Sequence, residues 1–535
     1  MFVPHTNAFP WSNSMQRFST TRRRLMLAAP GMLLFSCGGS STKAPPSERS
    51  VQRAVSQLDD YTERALASSG VPGMAIAVVH RDRILHLKGY GLRKAGSADL
   101  VDSHTVFQLA SLSKPIASSV MASLAGRGLI GWDDPLSRHD SSFILSDADA
   151  TRLLTLRDLF CHRSGLADHA GDLLEDLGYP REEILFRLRY LPIDGRFRKQ
   201  YAYTNFGLSA AAFAAARSAG AAWEDLAEAQ LFKPAGMHTA SYRYADFLAR
   251  ENRASLHVEA NGRFVTRYHR DPDAQSPAGG ASASVTDLAR WLQLHLGDGM
   301  LEGQRLIAAA ALRETRSAQI ETVPAAQSPN GIASYYALGW NSSQDSQGRQ
   351  QNGHSGAFAL GASTCVRLAP DQGLGIVVLT NGAPVGLPEA VAATFMELAL
   401  DGKVSQDWLT LYSNGVRAQM QADYQGPTDY AVPPKQPQPA RPADIYAGRY
   451  DNPFYGEIGV AEQAGKLHLL LGPDRTPYPM QHWNADQFVF QPAGENAVET
   501  SGIFFTVGAS GQRAGRVRIE YLDQKGEGDF VRLAI

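Results

Sequence analysis

Ser111-Leu112-Ser113-Lys114, running on into Ile116-Ala117-Ser118-Ser119-Val120-Met121-Ala122-Ser123-Leu124-Ala125 and closed by Gly126, decides how this chain is read. The second half is apolar or small at every position, the pattern of a helix buried on all sides, and Gly126 ends it. Residues three apart share a helix face, so the Ser111 hydroxyl and the Lys114 amine fall within reach of each other. A serine hydroxyl is a poor nucleophile until a base takes its proton, and a lysine buried beside polar groups loses enough pKa to be that base. Two further motifs follow in order, Tyr203-Thr204-Asn205 and His354-Ser355-Gly356. The set points to a covalent serine hydrolase of the S-x-x-K type, with lysine and tyrosine in place of the usual histidine and aspartate.

Other stretches repeat parts of this pattern. Ser40-Ser41-Thr42-Lys43 reads S-x-x-K, Tyr412-Ser413-Asn414 and Tyr450-Asp451-Asn452 read Y-x-N, and His169-Ala170-Gly171 and His295-Leu296-Gly297 read H-x-G. Context separates them. Ser40 lies in Gly/Ser/Pro-rich sequence with no apolar period. His295 belongs to a periodic helix begun by Asp287-Leu288-Ala289-Arg290-Trp291-Leu292, for which Gly297 is the C-cap. His354 leads instead toward Ala362-Ser363-Thr364-Cys365-Val366-Arg367-Leu368, which turns at Asp371-Gln372-Gly373 and returns over 374–380, a hairpin pattern.

Near the other end of this region, Met74-Ala75-Ile76-Ala77-Val78-Val79 and Ile84-Leu85-His86-Leu87 read as a strand pair, and 388–400 reads as a helix. Strands from both chain ends with a helical insert between them give an α+β fold: an antiparallel sheet flanked by helices plus an all-helical insert. Past residue 400, Pro427, Pro433, Pro434, Pro437, Pro439 and Pro442 mark a linker. Short strands at 456–460, 467–471, 488–490, 504–507 and 517–521 then predict a small all-β barrel. The expected division is an export signal at 1–37, a flexible tether at 38–52, a catalytic domain at 53–402, a helical and Pro-rich linker at 403–441 and the barrel at 442–535.

Over roughly residues 55 to 400 the chain resembles the serine β-lactamase and penicillin-binding-protein superfamily. The branch is that of class C β-lactamases, D-alanyl-D-alanine carboxypeptidases, D-aminopeptidases and related esterases. Phe107-Gln108-Leu109-Ala110-Ser111-Leu112-Ser113-Lys114 is similar to the nucleophile segment, and Thr155 to Leu166, with Cys161-His162-Arg163-Ser164-Gly165-Leu166, resembles the L-x-H-x-S-G-L segment. Ser276-Pro277-Ala278-Gly279-Gly280 with Asp287-Leu288-Ala289, and Tyr336-Ala337-Leu338-Gly339-Trp340, match two more. The barrel is similar to the lipocalin-like domain that accompanies some members.

The resemblance implies roles. Ser111 attacks a carbonyl, Lys114 takes its proton, and Tyr203, held near Lys114 and Asn205, passes protons to the leaving group and then activates water. The backbone N–H groups of Ser111 and Ala357 hold the oxyanion. His354, Ser355 and Gly356 bind substrate. One departure matters: where many members carry Lys-Thr/Ser-Gly, this chain has His354, which is mostly neutral near pH 7 unless its pKa is raised. That leans the expectation toward D-amino-acid peptidases and esterases acting on peptide, amide or ester bonds. The alternatives are a β-lactamase, or a penicillin-recognising sensor or scaffold with little turnover. An α/β-hydrolase is disfavoured, because Gly353-His354-Ser355-Gly356-Ala357 comes closest to G-x-S-x-G and ends in alanine.

Composition agrees. With 51 Lys plus Arg against 53 Asp plus Glu the net charge is −2, so no nucleic-acid partner is expected, and no apolar run is long enough for an internal membrane span. The expected partner is a small-molecule or peptide substrate; the oligomeric state stays open. Thr21-Arg22-Arg23-Arg24-Leu25-Met26 resembles a twin-arginine export signal, and Leu34-Phe35-Ser36-Cys37 lies close to a bacterial lipobox. Lipidation at Cys37 would anchor a periplasmic enzyme to the membrane; the alternative is a plain signal cleaved near Ser36. Cys161 and Cys365 read as small apolar packing residues, and His162 and His169 as structural. No metal or cofactor is expected.

Overall fold

The computed structural model describes residues 44–534 apart from 194, 329, 425–427 and 509–511. The export-signal pattern, Cys37 and the Ser40 decoy lie outside the described residues.

The apolar run at Met74 forms β1 (Gly73–His80), buried at every position. Ala75, Ala77 and Val79 face one core, and Met74, Ile76 and Val78 face another. A strand with two apolar faces needs cover on both, and the chain supplies it. On one side lie α1 (Glu48–Ser69) and α5 (Leu387–Asp401); on the other lies the large insert, led by α4 (Val285–Leu296). The tether expected at 38–52 ends early. Ser47 caps α1 by accepting from Ser50 N, and Val51, Ala54, Leu58, Thr62 and Ala65 form the buried stripe of this helix, so 48–52 are its first turn.

The main sheet is antiparallel, with eight strands in the order β2-β1-β8-β7-β6-β5-β4-β3. These are β2 (Arg83–Gly91), β3 (Ile320–Val323), β4 (Ser334–Tyr336), β5 (Asn341–Gln344), β6 (Gln350–Phe358), β7 (Ala362–Ala369) and β8 (Leu374–Thr380). First and last strands of the region pair directly, Ala77 opposite Val377, so the sheet closes around the insert. The insert carries α2 (Ser113–Gly126), α3 (Asn205–Ser218) and α4. It is not all helical: Phe107–Gln108 pairs with Ser282–Ala283, Val258–Ala260 with Arg263–Val265, and Met300–Leu301 with Gln304–Arg305. The first of these ribbons ties the start of the nucleophile segment to the segment after Gly280.

In the 403–441 region, α6 (Trp408–Tyr424) packs on α5, with Trp408 and Tyr412 against Ala390 and Ala393. The C-terminal part forms a second antiparallel sheet of nine strands, nearly closed. Its strands are β9 (Gly448–Asn452), β10 (Gly456–Gln463), β11 (Lys466–Leu471), β12 (Thr476–Pro479), β13 (Gln481–Asn484), β14 (Gln487–Phe490), β15 (Ser501–Thr506), β16 (Arg516–Ile519) and β17 (Asp529–Arg532). The outer strands β12 and β13 are separated only by Met480. This bent segment pairs with β11 through its first half and with β14 through its second, which brings the sheet round on itself.

Candidate active site

Ser111 sits on a single 3-10 turn (Ala110–Leu112) that feeds directly into α2, so Lys114 occupies the first turn of that buried helix. The turn is tense: Ala110 has φ +48, a region alanine enters at a cost of about 1–2 kcal/mol. Neighbours hold it there. Ser113 Oγ donates to Ala110 O at 2.6 Å, Ala281 N donates to Ser113 Oγ at 2.9 Å, and Thr364 Oγ1 on β7 donates to Leu109 O at 2.8 Å.

Three side chains that the sequence singled out meet at Ser111. Lys114 Nζ lies 3.0 Å from Ser111 Oγ, and Tyr203 OH donates to the same oxygen at 2.7 Å. Asn205, the first residue of α3, accepts from Lys114 Nζ through Oδ1 at 2.7 Å, and Ala278 O accepts at 2.9 Å. Lys114 has no solvent exposure, and burial lowers its pKa to about 7, against a smaller upward pull from Asp172. A neutral amine has two N–H bonds and one lone pair. With Asn205 and Ala278 taking the two N–H bonds, the lone pair is left for the Ser111 proton. Burial pushes the Tyr203 phenol well above its usual range, so it is a proton donor here.

The third motif divides between two faces, because β6 is a strand. Gly356 faces the nucleophile turn so closely that a Cβ would stand 2.2 Å from Leu109 O and 3.0 Å from Leu112 N. His354 points toward the two tyrosines; Ser355 pairs with Cys365 in the ladder and belongs to the opposite, α5 side. His354 stands in the cleft lining with its ring already held by protein groups. Its Nδ1 lies 2.6 Å from Ser355 O, which can only accept, and its Nε2 lies 2.9 Å from Tyr336 OH. Both ring nitrogens are therefore engaged, and burial with Lys114 nearby lowers the imidazole to about 3, so it stays neutral. Beyond Gly353, β6 has no partner on the β5 side among the described residues, which leaves 354–358 as a free strand edge beside Ser111. An extended substrate can pair with such an edge.

A cleft of about 360 Å³ opens over Ser111, lined by Tyr203, His354, Ala357, α6 residues such as Tyr424, and Glu495 from the loop between β14 and β15. That loop is fastened twice. Glu495 accepts from Ala359 N at 2.5 Å and stands 3.8 Å from Arg270; in return Asp176 accepts from Glu495 N at 2.9 Å, Asn496 N at 2.8 Å and Tyr521 OH at 3.0 Å. The C-terminal sheet thus supplies part of the cleft wall.

Sequence reasoning missed Asp172 and Tyr336 as members of the site and took His169 for structural. His169 contacts Asp172 at 2.8 Å and has 46% of its side chain exposed. The i, i+3 spacing of His169 and Asp172 was the one signal available. His162 is fully buried beneath Tyr203 and Tyr336, at ring separations of 4.6 and 4.7 Å, and burial keeps it neutral. Among the described residues no group of three or more potential ligands stands ready for a metal ion, and Cys161 and Cys365 are both buried and unpaired with each other.

Comparison with known proteins agrees with the fold. A family model described as Beta-lactamase matches residues 57–401, and one described as a domain of unknown function matches 432–528. An unguisins hydrolase of Aspergillus campestris is 25% identical, covering 76% of this chain and 78% of its own. The D-alanyl-D-alanine-carboxypeptidase/endopeptidase AmpH of Escherichia coli is 24% identical, covering 61% and 84%. Among solved structures, an octameric penicillin-binding protein homologue from Pyrococcus abyssi aligns with a TM-score of 0.57 at 16% identity, over 89% of this chain and all of that one.

Proposed function

The chain belongs to the Beta-lactamase family, and from that premise we propose that it is a serine hydrolase working through a covalent acyl-enzyme on Ser111. The observation that carries this reading is the Lys114 amine, with two acceptors on its N–H bonds and Ser111 Oγ at 3.0 Å on its third side. Lys114 takes the Ser111 proton as Oγ attacks. The Tyr203 phenol supplies the proton for the leaving group, and in the second half-reaction it activates water. The N–H groups of Ser111 and Ala357 receive the oxyanion.

The substrates are peptide, amide or ester bonds of the D-amino-acid peptidase or small-esterase kind, not β-lactams. The support is His354: a neutral ring with both nitrogens engaged offers no charge to a substrate carboxylate. A charge-assisted contact there would be worth about 1.5–3 kcal/mol, or roughly ten- to a hundredfold in binding. Incubation with a fluorophosphonate adds one label to the tryptic peptide holding Ser111, and Ser111→Ala abolishes it. Of four substrates, nitrocefin and a D-alanyl-D-alanine peptide, which carry a carboxylate, give lower kcat/KM than a D-amino-acid anilide and p-nitrophenyl acetate, which carry none. Nitrocefin as the best of the four would make the chain a β-lactamase.

Export follows from the sequence before residue 38, and a lipid on Cys37 is the proposed anchor; no described helix is long and apolar enough to cross a membrane. Several acyl chains at about 0.8 kcal/mol per buried methylene hold firmly. Full-length protein made in a bacterium then partitions into detergent, and Cys37→Ala does not; a freely soluble wild type identifies a plain cleaved signal instead.

A further inference from the structure

Behind Lys114 runs a chain of contacts that the reaction as written does not use. Asn205 accepts from Lys114 through Oδ1, and its other end, Nδ2, donates to Asp172 Oδ2 at 2.8 Å. That same carboxylate oxygen lies 2.8 Å from His169 Nδ1. Asp172 is 4% exposed, whereas His169 opens into the cleft. The backbone joins in, since His169 N donates to Tyr203 O at 2.8 Å. His169 holds φ +60, a left-handed conformation that a histidine adopts only when its surroundings require it.

The geometry points to His169 and Asp172 as positioning residues that together set how much of the Lys114 amine is present as free base. This rests on the reading of Lys114 as the base for Ser111. Two physical effects are combined. First, the carboxylate claims the NH2 end of the Asn205 amide and so turns its carbonyl end toward the amine; a flipped amide would set donor against donor. Second, an uncompensated carboxylate two contacts away would favour the lysine cation and remove the base at neutral pH. A cationic His169 on the same oxygen offsets that charge.

The surroundings support a cation at His169. Burial draws its pKa down, but Asp168 and Asp172 outweigh this and raise it, with Asp423 of α6 adding to them. Lys525 faces Asp168, and the Tyr203 ring lies 5.6 Å away. On the Lys114 side the facing groups are Tyr203, His162 and His354, all uncharged at neutral pH, so among the described residues Asp172 is the carboxylate that acts directly on the amine.

The test is the pH dependence of kcat/KM on p-nitrophenyl acetate, a neutral substrate, whose acid limb reports the free enzyme's base. His169→Gln leaves Asp172 uncompensated and moves the limb up by about one pH unit, a roughly tenfold loss on the acid side. Asp172→Asn removes the charge, keeps the size, and moves the limb down. His169→Lys restores a positive charge and returns the limb toward the wild-type position. A purely structural role for these residues lowers rates without shifting the limb in opposite directions. If Asp172→Asn fails to fold, the His169→Gln and His169→Lys pair decides alone. A fluorophosphonate label on Ser111 in every variant, with limbs unmoved or moved the same way, overturns this proposal only; a wild type unlabelled at Ser111 overturns the underlying reading as well.

Discussion

Lys114→Met lowers kcat/KM on every ester or amide substrate by about 10⁴-fold, at the upper end of what a general base contributes, and leaves the protein folded. Methionine fits the volume and removes an amine that has no exposure to solvent. What it leaves behind is two acceptors, Asn205 Oδ1 and Ala278 O, without their donor. That costs about 1–3 kcal/mol, against which stands the relief of no longer burying an amine. The wild-type profile carries the complementary signature. The amine titrates at about 7 in the folded protein, is protonated and inactive below that value and free above it, so activity rises with pH through this point. In Lys114→Met this limb is gone. Stopped-flow labelling with a fluorophosphonate between about pH 5 and 9 reads both effects. A variant that keeps more than a tenth of the wild-type rate, or a limb that persists, would falsify the role given to Lys114.

Gly356→Ala costs about 10²–10³-fold in kcat with little change in which substrates are taken. The alanine Cβ would meet Leu109 O at 2.2 Å and Thr364 Oγ1 at 2.4 Å, both parts of the clamp on the nucleophile turn. Neither neighbour has room to yield: Leu109 is backbone, and Thr364 is fixed between β6 and the turn. The strand must move away by roughly an ångström, and Ala357 N moves with it, away from Ser111. Overpacking of this kind also costs about 1–3 kcal/mol of stability. Thermal melts separate the two losses: a folded variant whose burst of acylation slows in proportion to kcat supports the account, and unchanged acylation refutes it.

The two substitutions act on parts of the site that were unequally visible before the structure. Ser111 and Lys114 were legible because a strongly patterned helix follows them, and Tyr203 and Asn205 because they form the next motif in order along the chain. Strands β1 and β8 were equally plain, being nearly continuous apolar runs, and β7 was legible as the other arm of the hairpin that turns at Asp371-Gln372-Gly373. Strand β6 was not. Gln350-Gln351-Asn352-Gly353-His354-Ser355-Gly356 has two glycines and little β propensity, and it is a strand because β7 pairs with it along 352–358. Strands β3, β4, β5, β9, β12, β13 and β17 were missed because each is only three to five residues long, too short to show an alternation.

What the chain determined by itself was the order of its motifs: a serine and a lysine one turn apart, a Tyr-x-Asn box, and an apolar sheet closed from both ends. Tertiary structure decided everything that depends on side chains brought in from distant segments. It turned Ser355 to the α5 side, engaged both nitrogens of His354, set Asp172 behind Asn205, and brought Glu495 from the C-terminal sheet to the wall of the cleft. The physical reason is range. Helix period and strand alternation act over a few residues and leave a mark in the sequence. A charge or hydrogen bond between separate elements, whether tens or hundreds of residues apart, leaves none, and it exists only once the packed core has fixed where each side chain stands.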